Sequence, residues 1–182
     1  MKEAKLLIFD FDGTIVDSKQ VYYHSINLGL EEYGFSRKQI DSAIGVGLNL
    51  SETLKKLGFG WFQRLFLKKR IMKGVLRKVL SIRKCKDVNS IKFIPGKKIL
   101  VTNSLREFAL PILKHLRLKN EFKEIYTIDD FSDKAEFISS YLRKRKINPK
   151  LVLYVGDRVA DIKLARKVGC RIVVVAGKCA WD

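Results

Sequence analysis

Two pairs of aspartates are the residues of this 182-residue chain whose types and spacing could do chemistry. The first pair, Asp10 and Asp12, lies in the segment LLIFDFDGTIVDS, directly after a short apolar run. Alternate residues of an extended chain point the same way, so both carboxylates can converge on one site. At about 4 Å and an effective dielectric constant of about 20, their repulsion is roughly 4 kcal/mol, which a hard divalent cation would offset. An Asx turn that merely ends a strand is the other interpretation of this spacing.

A second pair of aspartates, Asp157 and Asp161, favours the cation-site interpretation over the Asx turn. It lies in the segment GDRVAD, directly after the apolar run Leu151–Val155. Carboxylates delivered by two strands of one parallel sheet can share a Mg²⁺, which prefers oxygen ligands. Asp161 taken alone would equally suit a cap of the following helix.

Polar residues follow two further apolar runs. Thr102, Asn103 and Ser104 come after one run and open a predicted helix, so a hydroxyl and several backbone N–H groups are offered to an anion. Lys134 begins the helix predicted after the other run. Taken singly, Ser104 is typical of a helix cap and Lys134 of a solvated cation. Together with four carboxylates, these residues indicate a phosphate site.

Short apolar runs alternating with helical periodicity define the elements that must position these residues. Runs that are continuously apolar, rather than alternating, are typical of strands covered on both faces. Strand and helix alternation predicts an α/β fold: a Rossmann-like parallel five-stranded sheet with helices on both faces. The predicted strands are Lys5–Phe9, Lys98–Val101, Glu124–Ile128, Leu151–Val155 and Arg171–Ala176. The predicted helices of this part are Ser104–Leu118, Asp133–Lys146 and Asp161–Val168.

The stretch between the first two predicted strands is helical and poor in strands. Helices are predicted at Ser18–Tyr33, Arg37–Ile44 and Trp61–Arg83, with Gly34 separating the first two. The last of these carries an apolar side formed by Phe62, Leu65, Phe66, Met72, Val75, Leu76, Val79 and Ile82. We therefore expect a discontinuous α/β core at residues 1–16 and 91–182, with a small all-helical cap inserted at residues 17–90.

Positive charge is concentrated in that insert. The chain has 37 Lys and Arg against 19 Asp and Glu, a net charge of +18. Between Thr53 and Lys98 there are fifteen basic residues and a single acidic one, Asp87. A solvated helix face is the favoured interpretation, and a nucleic-acid surface is the alternative. Aromatic residues interleave only at Trp61, Phe62 and Phe66, whose spacing equally suits core packing.

Cysteine usage and hydropathy bear on location. Cys85, Cys170 and Cys179 are odd in number and lack CxxC spacing, so neither a disulfide framework nor a zinc site is predicted and reduced thiols are expected. No apolar run approaches the roughly 20 residues of a membrane span, and the apolar stretch near Met1 is too short for a signal peptide. The sequence therefore predicts a cytoplasmic protein without a membrane partner.

The polar motifs occur together in one known family. Asp10-Phe-Asp12-Gly13-Thr14, then Thr102-Asn103-Ser104, then Lys134, then Gly156-Asp157-x-x-x-Asp161 stand in this order, each after a predicted strand. In this the sequence resembles the haloacid dehalogenase superfamily, in particular its phosphoglycolate phosphatase-like phosphohydrolases. The resemblance covers Lys5–Val16 and about Ile94–Gly177, with the helical insert in the place of the family's cap domain.

The resemblance implies a role for each motif residue. Asp10 is implied as the nucleophile that forms a phosphoaspartyl intermediate, and Asp12 as the acid and base that serves the leaving group and then the water. Thr102, Asn103 and Lys134 are implied to bind the phosphate. The implied Mg²⁺ ligands are Asp10, Asp12 through its backbone carbonyl, Asp157 and Asp161, the last either through a water or by orienting Lys134. Asp12 also favours a phosphatase over a dehalogenase, because a dehalogenase needs no acid at that position.

The implied reaction is Mg²⁺-dependent hydrolysis of a phosphate monoester. By analogy with small-cap relatives, the expected partner is a small phosphorylated metabolite such as phosphoglycolate or a sugar phosphate. A nucleotide or nucleic-acid end phosphatase that uses the basic cap is the alternative, and nucleic acid is not favoured. A non-catalytic anion-binding or nucleic-acid-binding module is the hypothesis from a different class. The sequence indicates no particular oligomeric state.

Overall fold

The computed structural model describes residues 4–44 and 50–181. Within this part the strands are β1 (Leu6–Phe9), β2 (Val16–Asp17), β3 (Arg83–Lys84), β4 (Lys97–Val101), β5 (Glu124–Tyr126), β6 (Val152–Gly156) and β7 (Arg171–Val174). Five of them form a parallel sheet in the order β5-β4-β1-β6-β7. The five predicted strands are therefore present, each within three residues of its expected bounds.

Helices cover both faces of the sheet. They are α1 (Lys19–Leu30), α2 (Arg37–Ile44), α3 (Leu50–Lys56), α4 (Trp61–Arg77), α5 (Arg106–His115), α6 (Lys134–Lys144) and α7 (Val159–Val168). On one face, Phe108 and Ile112 of α5 pack with Leu7 and Phe9 of β1 in a core that extends into α1 and α4. On the other face, α6 and α7 pack against the alternate residues of the same strands, such as Ile8. This burial explains the continuously apolar strand sequences.

Several helix bounds differ from the prediction, and two of the differences have a structural explanation. α5 begins at Arg106 rather than Ser104, and its N-cap is Leu105 in an extended conformation. Ser104 is not a cap because its hydroxyl is directed to Asp12. α4 ends at Arg77 instead of continuing to Arg83, since a 3₁₀ turn follows it.

A two-stranded antiparallel ribbon connects the helices α1 to α4 to the rest of the fold. The chain enters this helical part through β2 and returns from it through β3. β2 and β3 pair antiparallel, with Val16 opposite Lys84 and Asp17 opposite Arg83. α1 and α4 pack on each other. The division into a core at 1–16 and 91–182 and a cap at 17–90 stays a prediction.

The apolar side predicted for the long helix is wrong in its first half. The buried residues of α4 are Leu67, Ile71 and Val75. Phe62 and Phe66, assigned to the packed side, are 78% and 64% exposed. The buried side of the helix begins at Leu67, one residue after Phe66. Five of the first seven residues of the helix are apolar, so the sequence pattern does not show which side is buried.

The expectation of three reduced thiols is also wrong. Cys85 and Cys179, 94 residues apart in the sequence, form a disulfide, and Cys170 is a free thiol. A pairing at this separation depends on the tertiary fold, so local cysteine spacing could not reveal it. In the described residues, no helix combines the length and the apolarity needed to cross a membrane. The cytoplasmic location stays a prediction.

Candidate active site

Three buried carboxylates and one buried ammonium form the centre of the site. Asp10 follows β1, Asp157 follows β6 and Asp161 lies in the first turn of α7. Each offers an oxygen, and these three oxygens lie within 4.8 Å of one another. Lys134, the first residue of α6, places its Nζ 2.6 Å from Oδ1 of Asp10. The parallel strands thus bring together residues from three of the four motifs at the carboxyl end of the sheet, as predicted.

Asp157 is held on both oxygens. The hydroxyl of Thr14 donates to Oδ1 at 3.1 Å, and the backbone N–H of Trp181 donates to Oδ2 at 2.7 Å. Gly13 makes this approach possible: its φ is +77°, and a Cβ there would lie 2.2 Å from Oδ2 of Asp157. The glycine of the first motif is therefore required by the position of a carboxylate from the fourth.

Asp161 both caps a helix and joins the site. Its Oδ2 accepts the backbone N–H of Arg158 at 3.0 Å, at the start of α7. Its Oδ1 accepts the hydroxyl of Tyr154 at 2.9 Å. The ring of Tyr154 lies beneath Lys134, whose Nζ is 5.4 Å from the ring centroid. Both interpretations left open for Asp161 are therefore compatible with its position.

The carboxylate of Asp12 is held apart from the three-carboxylate group. It accepts hydrogen bonds from the hydroxyls of Ser18 and Ser104, one on each oxygen. Burial raises the pKa of Asp12, although these two hydrogen bonds act in the opposite direction. A carboxyl group with a raised pKa keeps its proton to a higher pH than an ordinary one, which suits the acid role implied by the resemblance.

Burial also has the largest effect on the pKa of Asp10 and of Asp157. It raises the pKa of Asp10 to about 7, against the lowering effect of Lys134 and with a further increase from the charge of Asp161. Burial also raises the pKa of Asp157, despite the hydrogen bonds from Trp181 and Thr14. Crowding and desolvation of like charges are typical of functional sites, where a ligand provides the compensating charge.

The three residues expected to bind phosphate differ in their burial. Thr102 is buried at the end of β4, and its hydroxyl oxygen accepts the N–H of Ser104 at 3.0 Å. Lys134 is buried against Asp10, whereas Asn103 is exposed. The structure therefore places Thr102 and Lys134 in the buried part of the site and Asn103 at its surface, and the roles of all three stay predictions.

Sequence reasoning missed the contacts that four groups make to the aspartates of this site. The groups are the hydroxyls of Ser18, Ser104 and Tyr154 and the backbone N–H of Trp181. Ser104 was considered as a helix cap, and nothing in the local sequence distinguishes Ser18 or Tyr154 from ordinary helix and strand residues. Their contacts to the aspartates arise only from the tertiary packing.

The donor set fits a hard divalent cation. Asp10, Asp157 and Asp161 supply oxygen atoms alone, all three residues are buried, and no histidine or cysteine joins the group in the described residues. Such a set is typical of Mg²⁺ rather than of softer metals. Asp12 was predicted as a fourth ligand through its backbone carbonyl, and its carboxylate lies outside the group. The arrangement places the carboxylate of Asp10, which the resemblance implies to be the nucleophile, beside two further carboxylates and an ammonium group.

Known proteins match the chain over nearly its whole length. A family model described as haloacid dehalogenase-like hydrolase matches residues 7–175. Phosphoglycolate phosphatase of Aquifex aeolicus is 26% identical over 175 residues, covering 92% of this chain and 82% of that protein. A haloacid dehalogenase-like family hydrolase from Streptococcus pneumoniae has a TM-score of 0.82 at 19% identity, covering 99% of this chain and 88% of that one. CbbY from Rhodobacter sphaeroides, solved in complex with phosphate, has a TM-score of 0.79 at 13% identity, covering 98% and 89%. These matches confirm the predicted fold class and the predicted resemblance.

Proposed function

The chain belongs to the haloacid dehalogenase-like hydrolase family, and from that premise we propose that it is a Mg²⁺-dependent phosphohydrolase that cleaves phosphate monoesters. The observation that carries this proposal is the group formed by Asp10, Asp157, Asp161 and Lys134. A carboxylate can approach a phosphate dianion only where positive charge offsets their repulsion. Lys134, 2.6 Å from Asp10, supplies part of that charge.

In the first half of the proposed reaction, a carboxylate oxygen of Asp10 attacks phosphorus. The new O–P bond forms as the bond to the ester oxygen breaks, and Asp12 protonates the departing alkoxide. The hydroxyls of Ser18 and Ser104 orient Asp12 for this transfer. Lys134 and Thr102 bind the oxygens of the transferring phosphoryl group.

In the second half, water hydrolyses the phosphoaspartyl group. Asp12, now ionised, takes a proton from the water as it attacks phosphorus, and the carboxylate of Asp10 is released. Bound Mg²⁺, held by Asp10, Asp157 and Asp161, would stabilise negative charge on the phosphoryl oxygens throughout. Thr14 and Trp181 fix the orientation of Asp157 toward that position.

A small phosphorylated metabolite is the substrate class that the relatives favour. The Aquifex aeolicus relative is a phosphoglycolate phosphatase, and a second, 24% identical protein from Archaeoglobus fulgidus is a phosphoserine phosphatase. Both substrates are small, acidic phosphate monoesters. We therefore place phosphoglycolate first, followed by other small phosphorylated acids and sugar phosphates.

A phosphate-release screen tests the proposal. The panel holds phosphoglycolate, phosphoserine, sugar phosphates, nucleotides and end-phosphorylated oligonucleotides, each with Mg²⁺ and with a chelator. We expect Mg²⁺-dependent release that is fastest on a small acid. Absence of release from every phosphate monoester, in protein shown to bind Mg²⁺, would overturn the proposed function.

The outer face of α4 favours a second candidate, a nucleic-acid end phosphatase. Four large apolar side chains in the first half of this helix are between 62% and 78% exposed: Trp61, Phe62, Leu65 and Phe66. Core packing, the interpretation that competed with base stacking for these aromatics, therefore does not apply to them. Exposed apolar clusters of this kind mark interaction surfaces.

Charge complementarity selects the partner of this face. Lys69, Lys73 and Arg77 continue it along the second half of α4 at helical spacing and are exposed. Aromatic rings followed by a row of cations suit a single strand, whose bases stack and whose phosphates pair with Lys and Arg. A second copy of the chain would bring like charges together, which disfavours self-association through this face.

Fluorescence anisotropy with a 5′-phosphorylated single-stranded oligonucleotide tests this candidate. We expect salt-dependent binding that the double variant Phe62→Ser/Phe66→Ser weakens about tenfold, with Arg77→Ala acting in the same direction. Both phenylalanines are exposed, so the fold tolerates their replacement. Binding that the double variant leaves unchanged, or binding of anionic vesicles instead of the oligonucleotide, would remove the second candidate.

A further inference from the structure

The end of the described chain returns from β7 to the candidate active site. We call residues Gly177–Trp181 the C-terminal strap. Its last residue donates a backbone N–H to Oδ2 of Asp157 at 2.7 Å. The indole ring of the same residue lies against the first motif, since its Cδ1 is 2.6 Å from the position that a Cβ at Gly13 would occupy. The strap therefore touches two of the motifs that form the site.

Polar and covalent contacts fix the backbone of the strap. Cys179 is joined to Cys85 by the disulfide. The Nζ of Lys19 donates to the carbonyl oxygens of Ala180, at 3.4 Å, and of Trp181, at 3.3 Å. These anchors flank the N–H that reaches Asp157, so they determine where that N–H points.

Aromatic contacts fix the side chain of Trp181. Its ring centroid lies 5.7 Å from that of Tyr22 and 6.3 Å from that of Tyr23, both on α1. The guanidinium group of Arg158 lies 5.1 Å from the indole centroid. Trp181 is thus packed between the first helix after the ribbon and the loop that carries Asp157.

The other end of the disulfide lies where the chain passes between the sheet and the helices α1 to α4. Cys85 directly follows β3, and its N–H donates to the carbonyl of Ile15, just before β2, at 3.0 Å. The segment that leads into the helices α1 to α4 and the segment that returns from them are therefore adjacent at this point. The disulfide ties both of them to the strap.

From these contacts we propose that Trp181 is a positioning residue for the cation ligand Asp157, and that the Cys85–Cys179 disulfide holds it in place, so that the thiol redox state sets the cation affinity of the site. The proposal rests on the cation-dependent function proposed above. Groups that hydrogen-bond a ligating carboxylate orient it, and their loss typically weakens metal binding about 10- to 100-fold. Of the two hydrogen bonds described above for Asp157, only the one from Thr14 is independent of the strap.

The redox step is a two-electron reduction of the disulfide. A dithiol reductant attacks one sulfur, the S–S bond breaks, and two thiols form at Cys85 and Cys179 while the reductant becomes a disulfide. The strap then keeps only its non-covalent anchors, the contacts of Lys19 and of the indole ring. The reverse exchange with an oxidised dithiol restores the cross-link.

Isothermal titration with Mg²⁺, and with Mn²⁺ as a second probe, measures this dependence without substrate. We expect oxidised wild-type protein to bind the cation about 10- to 100-fold more tightly than both the reduced wild type and Cys179→Ser. Cys170→Ser, which leaves the disulfide intact, is the matched control and should bind like the oxidised wild type. Far-UV circular dichroism at the titration temperature confirms that each protein is folded, and the reduced wild type supplies the comparison if a variant is not.

Two variants at one position separate the backbone N–H from the side chain. Trp181→Pro removes the N–H and should reproduce the loss of cation affinity, whereas Trp181→Ala keeps the N–H and should bind within about threefold of the wild type. A purely structural role of the ring would give equal losses of cation affinity in the two variants, because both lack the indole. The Mg²⁺ concentration that gives half-maximal phosphate release should rise in Trp181→Pro by the same factor as the dissociation constant of the cation.

The outcomes of the titration are decisive. Equal cation affinity in the oxidised and reduced proteins overturns the proposal and leaves the proposed function intact. Tighter binding after reduction also overturns it, since the strap would then compete with the cation. Absence of cation binding in the oxidised wild type overturns both the strap proposal and the cation-dependent function.

Discussion

The candidate site at the carboxyl end of the parallel sheet and Glu124 at its amino end differ in how burial and hydrogen bonding shift the pKa of a carboxyl group. At the carboxyl end, burial raises the pKa of Asp10 to about 7, and it raises the pKa of Asp12 and Asp157 as well. At the amino end, Glu124 on β5 is hydrogen-bonded by Lys97 and Tyr126. Although burial opposes them, these partners lower the pKa of Glu124 to about 2.

The opposite pKa shifts distinguish a carboxylate whose charge is compensated by partners in the fold from carboxylates whose charge is not. Glu124 has cationic and phenolic partners, so its charge is compensated within the chain. At the site, Lys134 alone is paired with Asp10 in the described ion pairs, beside two further buried carboxylates. Uncompensated buried charge is costly, and its concentration at one place in a fold is typical of a functional site. This pattern supports the proposed binding of a cation and a phosphate there.

Removing the charge of Asp10 should have the largest effect. We expect Asp10→Asn to lower phosphate release from an aryl phosphate by more than about 10³-fold, because the nucleophile is lost. Asp41→Asn, which changes an exposed carboxylate of α2, is the matched control and should leave the rate unchanged. Turnover that survives in the Asp10 variant would show that the carboxylate group at the sheet end is not the catalytic centre.

Displacing Asp157 without changing its charge should have the next largest effect. Gly13 and Gly34 both have positive φ, but only at Gly13 would a Cβ meet other atoms, among them Oδ2 of Asp157. Gly13→Ala should therefore lower kcat by about 100-fold, as expected for a misplaced group, while Gly34→Ala should cost about 1–2 kcal/mol of stability and leave kcat unchanged. Equal activities of the two variants would mean that the close approach to Asp157 is not needed.

The opposite pKa shifts predict opposite pH dependences of stability. Asp10 has a raised pKa, so its contribution to stability in metal-free protein is present below about pH 4 and is lost as the pH rises through about 7. Urea unfolding across this range should show the loss in the wild type and a flatter profile in Asp10→Asn. A profile that the substitution leaves unchanged would contradict the assigned burial of this charge.

Glu124 should give the opposite pH dependence of stability. Its lowered pKa contributes stability above about pH 4.5 that is lost as the pH falls toward 2. Glu124→Gln should therefore be less stable than the wild type at pH 7 and differ less from it near pH 2, while phosphate release stays near the wild-type rate. A loss of activity comparable to that of Asp10→Asn would contradict the assignment of a purely structural role to Glu124.

Removing the hydroxyl of Ser104 should have the smallest effect of these substitutions. Its hydroxyl lowers the pKa of Asp12, so Ser104→Ala should raise that pKa further and move the pH–kcat profile to higher pH. Ser81→Ala, which removes a hydroxyl bonded to the carbonyl of Lys78, is the control and should leave the profile in place. A lower kcat with an unshifted profile would mean that Ser104 acts on something other than the titration of Asp12.

The sequence was informative at the carboxyl end of the sheet for a physical reason. Continuous apolar runs identify buried parallel strands, and the residue after each strand must lie at one edge, so Asp10, Asp157 and Thr102 could be located. Lys134 could be located by the start of its helix. None of these positions depends on the details of side-chain packing.

What could not be predicted depends on contacts between distant segments. The bond from Trp181 to Asp157 and the Cys85–Cys179 disulfide join segments with no shared local pattern. The exposed face of α4 was mistaken for a packed one because dense apolar composition hides the helical phase around Phe62 and Phe66. Helical periodicity alone does not say which apolar residues find a partner.

Trapping of the covalent intermediate tests the central claim most directly. Asp12→Asn, which removes the base of the second step, is mixed with ³²P-labelled aryl phosphate and Mg²⁺ and quenched in acid after milliseconds to seconds. We expect label on the protein, located at Asp10 by peptide mapping, and no label in the Asp10→Asn variant. Label at another residue, or turnover in the wild type with no labelled Asp10 at any time, would contradict it.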